Sequence, residues 1–207
     1  KESSAASDVY KRQGLPQLMK LLAVYKPDVI INTIALVDVD GCETNPGLAA
    51  RLNIDFVSDL VKSIKKTGLQ NSHLIHISSD SVYGQHKGGN NKPWCEVDIC
   101  QPISVYARTK LRSEEEALKH TGLVTIIRTA FYGINPMSNK GLLWWIIDNV
   151  SNGRVIDGWE DIYFSPVSAL ELVKLIRLMF EKHIAGIYNV SSIDNCNKFD
   201  FINSACK

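Results

Sequence analysis

Short apolar runs alternate with longer amphipathic stretches along most of this chain. Leu15, Leu18 and Leu22 recur at helical spacing, so the pattern predicts an amphipathic helix over 15–25 that ends before Pro27. The run 29–31 is continuously apolar, which is typical of a strand buried on both faces of a parallel sheet. The same patterns predict helices over 46–66, 104–119, 142–150 and 167–181, and strands over 73–78, 123–128, 154–157, 162–164 and 187–190. This alternation predicts an α/β fold with a parallel sheet and helices on both of its faces.

The two ends of the chain depart from this alternation. Residues 1–13 are polar and aperiodic, and 8–13 resemble a translated sequencing-library adapter, so we expect a non-native, adapter-like leader there. A natural disordered leader is the alternative interpretation. At the other end, 199–205 has the pattern of a helix start that stops at Lys207. We therefore expect a sequence that is cut at both ends.

Composition and charge narrow the class of protein. The formal net charge of the 207 residues is +1, so no global field would attract nucleic acid or a membrane surface. No apolar stretch approaches the roughly 20 residues needed to span a bilayer. The five cysteines form no pair with zinc-ligand spacing, which favours free thiols in a cytoplasmic protein without a metal site. A disulfide between Cys95 and Cys100 is the alternative.

Two segments carry candidate chemistry. The first, Ser78-Ser79-Asp80-Ser81, directly follows the apolar run 73–77, and the second is a Tyr-x-x-x-Lys pair at Tyr106 and Lys110. A second such pair, at 83 and 87, enters a loop rich in glycine and asparagine, so its side chains should not share a face. Position 106 instead opens a strongly helical run, where residues four apart are neighbours.

The Tyr106–Lys110 pair suggests acid–base chemistry. A free phenol has a pKa near 10, and a nearby ammonium group favours the phenolate and lowers that pKa. General acid–base catalysis works best when the catalytic pKa lies near the working pH. Ser79, at the end of the preceding strand, could hold a substrate oxygen beside the phenol. The alternative is a surface tyrosine with a solvated lysine.

Several blocks of sequence, in order, resemble the extended short-chain dehydrogenase/reductase family and, within it, the dTDP-4-dehydrorhamnose reductase branch. The resembling residues are 27–32, 39–40 with 43, 53, 76–83, 93–98, 102 with 105–110, and 128–129. The resemblance implies a Rossmann-type doubly wound parallel sheet. It also implies a partial NAD(P)-binding domain with the catalytic residues over 14–135. A mainly substrate-binding, RmlD-like part would cover 136–207.

The resemblance further assigns roles to single residues. Ser79, Tyr106 and Lys110 would form the catalytic triad of an NAD(P)-dependent reductase, and Tyr106 would protonate the C4 carbonyl oxygen of a keto-sugar nucleotide. Residues implied for the cofactor are Asn32, Thr33, Ile34, Ala35, Ser78, Tyr106, Lys110, Thr129 and Ala130, with NADPH favoured over NADH. Residues implied for the substrate are Asp80, Ser81 and Arg154. The expected small-molecule partner is a nucleotide sugar, and a homodimer is possible under the same resemblance. Asn53 is expected to be structural.

The chain also departs from the family pattern. Its thirteen glycines nowhere form the Gly-x-Gly-x-x-Gly phosphate loop, so we expect the first strands of the parent protein to be missing and the fragment to be inactive. Leu36 stands where many reductases have histidine, and Ser81 disfavours a dehydratase, which would have glutamate there. Two alternatives remain: an epimerase of the same superfamily, or a non-catalytic subunit like the regulatory subunit of methionine adenosyltransferase.

Overall fold

The computed structural model describes residues 15–85, 93–134 and 141–206. The adapter-like leader, position 87 and the glycine- and asparagine-rich segment 88–91 lie outside these residues. The chain divides into two compact units, which are described separately. The first comprises Lys1–Arg128 with Leu178–Asn189, and the second comprises Thr129–Arg177 with Val190–Lys207.

Helices and strands alternate over most of the described chain. The helices are α1 (15–25), α2 (Val39–Thr44), α3 (Pro46–Ala50), α4 (Phe56–Lys66), α5 (Val105–Ala117), α6 (Leu142–Ser151), α7 (Ala169–Glu181) and α8 (Lys198–Ala205). The strands are β1 (Val29–Asn32), β2 (His73–Ile77), β3 (Val124–Arg128), β4 (Phe131–Tyr132), β5 (Tyr163–Phe164), β6 (Val167–Ser168), β7 (Gly186–Asn189) and β8 (Cys196–Asn197). No helix in these ranges combines the length and apolar character needed to cross a membrane.

The first unit is built on a parallel four-stranded sheet in the order β1, β2, β3 and β7. Each pair is parallel, with Ile31 opposite Ile75 and Ile75 opposite Thr125. All five residues of β2 and all five of β3 are buried, which explains why their sequences read as near-continuous apolar runs. The predicted α/β fold with a parallel sheet is confirmed.

The helices α1, α4 and α5 contribute to one hydrophobic cluster with the sheet. Its fully buried members include Val57 and Ile64 of α4, Leu74 of β2, Ala117 of α5 and Ile126 of β3. Burial of these side chains is the main favourable term in folding, at roughly 25 cal/mol for each Å² of apolar surface removed from water. The cluster therefore fixes α5 against the sheet, and α5 carries the Tyr-x-x-x-Lys pair.

The helix predicted over 46–66 is continuous but irregular. Asn45 caps its start by accepting a hydrogen bond from the Leu48 amide, and Pro46 occupies the first helical position. A π-helical turn, Arg51–Asp55, then separates α3 from α4 and contains the buried Asn53. Such turns in a longer helix are rare and often occur at functional sites.

The second unit holds the least accurate predictions. The strand predicted over 154–157 is wrong: these residues form no strand, and Val155 is 92% exposed without a partner strand. The helix predicted from 167 starts at Ala169, because Val167 and Ser168 pair with β4 instead. The helix predicted over 199–205 is confirmed by α8, and the strand predicted over 162–164 is present as β5.

Candidate active site

Ser79 lies where β2 ends and the chain turns away from the sheet. The Ser79 hydroxyl accepts a hydrogen bond from the Ser81 amide at 3.2 Å and donates one to an Asp80 carboxylate oxygen at 3.2 Å. A short 3₁₀ helix, Asp80–Tyr83, follows, and Gly84 closes it with a φ of 80°. The capping role fixes Ser79 at the carboxyl end of the sheet, where ligands bind in open α/β sheets.

Helix α5 brings Tyr106 and Lys110 to the same place. Ser104 caps the helix by accepting a hydrogen bond from the Ala107 amide at 3.1 Å. Lys110 is 2% exposed, and its ammonium group donates to the carbonyl oxygen of Ile77, the last residue of β2, at 2.6 Å. Tyr106 is hydrogen-bonded to Ser79. The structure thus places Tyr106 against Ser79, and Lys110 against the strand residue two positions before Ser79.

The electrostatics of Tyr106 differ from the sequence-based expectation. Burial raises the pKa of the Tyr106 phenol, nearby Asp80 and Cys42 add to the increase, and the Ser79 hydrogen bond only partly opposes it. The expected lowering by the Lys110 ammonium is therefore corrected, because the sequence could not show how deeply the phenol is buried. The neutral phenol is the form that donates a proton.

The same burial acts on Lys110 in the opposite direction. Removal from water lowers the pKa of its amine from 10.5 to about 8, although the Glu114 carboxylate favours the charged form. The amine therefore titrates close to physiological pH. Perturbed pKa values of this kind, in a group at the end of a parallel sheet, are typical of functional sites.

Neither Arg128 nor Glu114 is among the site residues that the sequence predicts. Both side chains are buried, and they form an ion pair at 2.7 Å. Glu114 also accepts a hydrogen bond from the Ser78 hydroxyl at 2.5 Å. The sequence gives no signal for these contacts, because they join a helix to residues at the ends of two strands; the four-residue spacing of Lys110 and Glu114 indicates only that those two side chains are neighbours on α5.

Two further buried polar groups lie around α5. His76, on β2, is held by Asn32 at 3.0 Å and by Ser113 at 2.9 Å, as expected for a packed core residue. Asn53 donates to the Thr109 hydroxyl at 2.8 Å and accepts from the Leu36 amide at 2.6 Å. These contacts tie α5 to β2, to the π-helical turn and to the segment after β1.

The segment after β1 contains the other residues predicted for the cofactor. Asn32 is buried, and its side-chain oxygen accepts a hydrogen bond from the Ile34 amide at 3.1 Å, which bends the chain at the end of the strand. Thr33 is exposed, and Ile34 and Ala35 are half-buried. The segment 33–35 therefore presents accessible groups at the carboxyl edge of the sheet. Ser78, also predicted for the cofactor, instead uses its hydroxyl for a hydrogen bond to Glu114.

The remaining residues predicted for the cofactor or the substrate lie in the turn after Ser79 and in the second unit. Asp80 is half-buried and Ser81 is exposed in the turn after Ser79. In the second unit, Thr129 is buried and its hydroxyl has no hydrogen-bond partner among the described residues. Arg154 is exposed and forms an ion pair with Asp148 at 2.9 Å. The carbonyl oxygen of Ala130 accepts a hydrogen bond from the Val167 amide.

Comparison with known proteins gives consistent matches. Residues 4–207 match the family model of the RmlD substrate binding domain. The dTDP-4-dehydrorhamnose reductase of Salmonella typhimurium is 35% identical over 188 residues, which cover 88% of this chain and 59% of that protein. Methionine adenosyltransferase 2 subunit beta of Bos taurus is 26% identical over 185 residues, covering 85% of this chain and 53% of that protein.

The fold has close counterparts among solved structures. A dTDP-4-dehydrorhamnose reductase of Bacillus anthracis, in complex with NADP, superposes with a TM-score of 0.82 at 22% identity, covering 92% of this chain and 65% of that chain. At that identity the likeness concerns the fold. The chain spans between 38% and 63% of the lengths of the first curated relatives that it matches.

Proposed function

The chain belongs to the RmlD substrate binding domain family, and from that premise we propose that it is part of an NAD(P)H-dependent reductase of a 4-keto sugar nucleotide. One observation carries the proposal. At the carboxyl end of β2, the Tyr106 phenol is hydrogen-bonded to Ser79, and the Lys110 ammonium donates to the carbonyl oxygen of Ile77, two residues before Ser79. The Salmonella relative, named as a dTDP-4-dehydrorhamnose reductase, supports the substrate class.

The protonation states fit a reduction. Tyr106 holds its proton at neutral pH because burial raises the pKa of the phenol, so it can act as a general acid toward a carbonyl oxygen. Ser79 would hold the same oxygen through its hydroxyl. The phenolate left after proton transfer would gain from the Ser79 hydrogen bond and from the positive charge of Lys110, one helical turn away.

The residues at the carboxyl edge fit the nicotinamide end of the cofactor. Lys110 uses one of its three ammonium protons on Ile77 and keeps donors for another ligand. Thr33 and Ala35 offer an accessible hydroxyl and a small side chain after β1. When bound, a reduced nicotinamide supplies the hydride. NADPH is our preferred reductant, since the Bacillus anthracis neighbour was solved with NADP.

The assay that tests this function follows NADPH oxidation by the intact gene product that contains these residues, with dTDP-4-dehydro-6-deoxy-sugar as substrate. Replacement of Tyr106 by Phe removes only the acidic hydroxyl and should lower kcat by about 10²- to 10⁴-fold. Tyr25→Phe is the matched control, because Tyr25 is 75% exposed on α1 and should leave kcat unchanged. Equal rates for wild type and the Tyr106 variant would refute the proposed role.

Two other functions remain as outcomes of the same assay. An epimerase would use Ser79, Tyr106 and Lys110 but would convert the sugar nucleotide without net consumption of NADPH. A binding subunit would give no turnover, and the Bos taurus relative, named as a subunit of methionine adenosyltransferase, favours testing it. In that case Tyr106→Phe would leave partner binding unchanged.

We place the protein in a reducing compartment, the cytoplasm, since all five cysteines are free thiols.

A further inference from the structure

Three charged side chains are buried together beside the proposed catalytic groups. Lys110 and Glu114 are each 2% exposed, and Arg128 is 5% exposed. Removing a charge from water is costly unless the charge is paired and hydrogen-bonded. The proposed function uses only Lys110. The presence of Glu114 and Arg128 at this depth therefore needs a separate explanation.

Both carboxylate oxygens of Glu114 are occupied. One oxygen accepts hydrogen bonds from the Ser78 hydroxyl at 2.5 Å and from Arg128 Nε at 3.1 Å. The other accepts from Arg128 Nη2 at 2.7 Å and from Nε at 3.2 Å. This is the planar, two-pronged pairing for which the guanidinium group is suited. Glu114 thereby connects α5 to the ends of both β2 and β3.

Arg128 extends the connection to the turn that follows Ser79. Its Nη1 donates to the Tyr83 hydroxyl at 2.9 Å, and that hydroxyl donates to Asn189 Oδ1 at 2.8 Å. Tyr83 is the last residue of the 3₁₀ helix that Ser79 caps. Glu114 and Arg128 therefore hold the turn at both ends, through Ser78 before Ser79 and through Tyr83 after it.

Glu114 also occupies a particular place on α5. Tyr106, Lys110 and Glu114 are spaced four residues apart, so they lie in one row on the helix surface. His76 on β2 also lies near Lys110 and is kept neutral because burial lowers its pKa. Arg128 on β3, the ion-pair partner of Glu114, is positive. Of these neighbours, Glu114 is the one whose charge favours the ammonium form of Lys110.

We propose that Glu114 is a positioning residue of the proposed reductase: it holds Ser78, and with it the turn that carries Ser79, and it places a negative charge one helical turn from Lys110. This inference rests on the proposed function. The carboxylate does not touch the reacting atoms in this arrangement. It acts through Ser79 and Lys110, and Arg128 is its counter-ion.

The test uses Glu114→Gln, which keeps the shape and a hydrogen-bond acceptor but removes the charge. In the present chain, NMR of ¹³C-labelled lysine side chains should show the midpoint of Lys110 falling by about one pH unit from the wild-type value. In the intact gene product, the alkaline limb of the kcat profile should move to lower pH while KM changes little. Glu114→Asp keeps the charge and should retain the wild-type midpoint.

Glu115→Gln is the matched control, because Glu115 is an exposed neighbour on α5 that pairs with Arg112. If Glu114→Gln does not fold, Glu114→Gln combined with Arg128→Gln removes both charges of the buried ion pair, and the Lys110 midpoint should still fall. An unchanged Lys110 midpoint in either variant would overturn the inference. The Lys110 midpoint is measured without turnover. If Glu114→Gln lowers this midpoint but the intact gene product fails the reductase assay, the proposed function is disproved, while the effect of the Glu114 charge on Lys110 stands.

Discussion

Replacement of Lys110 by Met offers a direct thermodynamic test of the candidate site. The amine is buried and its pKa is lowered from 10.5 to about 8, so the folded protein loses the Lys110 proton at lower pH than the unfolded chain does. Between these two values the unfolded state binds more protons. Stability that depends on Lys110 must therefore rise as the pH increases through this window, and it must be lowest below a pH of about 8.

The size of the effect follows from the difference between the two pKa values. A shift from 10.5 to about 8 corresponds to about 3 kcal/mol of unfavourable free energy when the amine is charged in both states. The penalty should be about 3 kcal/mol at a pH of about 7.5 and about 1.5 kcal/mol at a pH of about 9.5. The Lys110→Met variant has no such penalty, so its free energy of unfolding relative to wild type should fall by roughly 1.5 to 2 kcal/mol over this range.

Urea denaturation of both proteins at several pH values measures this difference. Comparison with the variant removes the contribution of other groups that titrate at alkaline pH, such as Tyr106 and Cys42, whose pKa values are raised by burial. Lys66→Met, which removes an exposed ammonium group from the end of α4, controls for the loss of one charge. A difference between wild type and Lys110→Met that stays constant with pH would refute the burial argument.

Two further predictions concern the surroundings of the site. Burial lowers the pKa of His76 well below its usual value of 6.5. ¹⁵N NMR should therefore show a ring that stays neutral as the pH drops below that usual value, and stability should fall over the same change. A midpoint near the usual value would contradict this. Gly84→Ala should cost at least about 2 kcal/mol more in urea denaturation than Gly68→Ala. Both glycines have a positive φ, but a Cβ at position 84 would clash with the Gln101 carbonyl oxygen, whereas position 68 is open. Equal losses of unfolding free energy in the two variants would contradict this prediction, because they would show that the Gln101 carbonyl oxygen does not make glycine necessary at position 84.

The features that the sequence predicted well are those set by local periodicity. The apolar runs of β2 and β3 are buried along their whole length, and the Tyr106–Lys110 spacing places both side chains on one face of α5. Each of these predictions needed only the geometry of a single element. The position of Ser79 at the end of β2 followed from the same reasoning, since a strand must end where the turn begins.

The features that the sequence did not predict depend on contacts between distant residues. The π-helical turn encloses Asn53, whose partners Leu36 and Thr109 are 17 and 56 residues away. The raised pKa of Tyr106 reflects burial, which spacing does not show. The strand predicted over 154–157 has no partner, and apolar content alone could not supply one. The pairing of Glu114 with Arg128 likewise joins a helix to a strand.

The most direct test of the proposed function is the stoichiometry of the reaction catalysed by the intact gene product. Purified protein is supplied with a dTDP-4-dehydro-6-deoxy-sugar in two reactions, one with NADPH and one with NADH. Both the product and the oxidised cofactor are quantified in each reaction. We expect one NAD(P)H to be oxidised for each 4-keto group reduced, with the faster rate for NADPH. A changed sugar nucleotide without net oxidation of NAD(P)H, or no turnover with either cofactor, would contradict it.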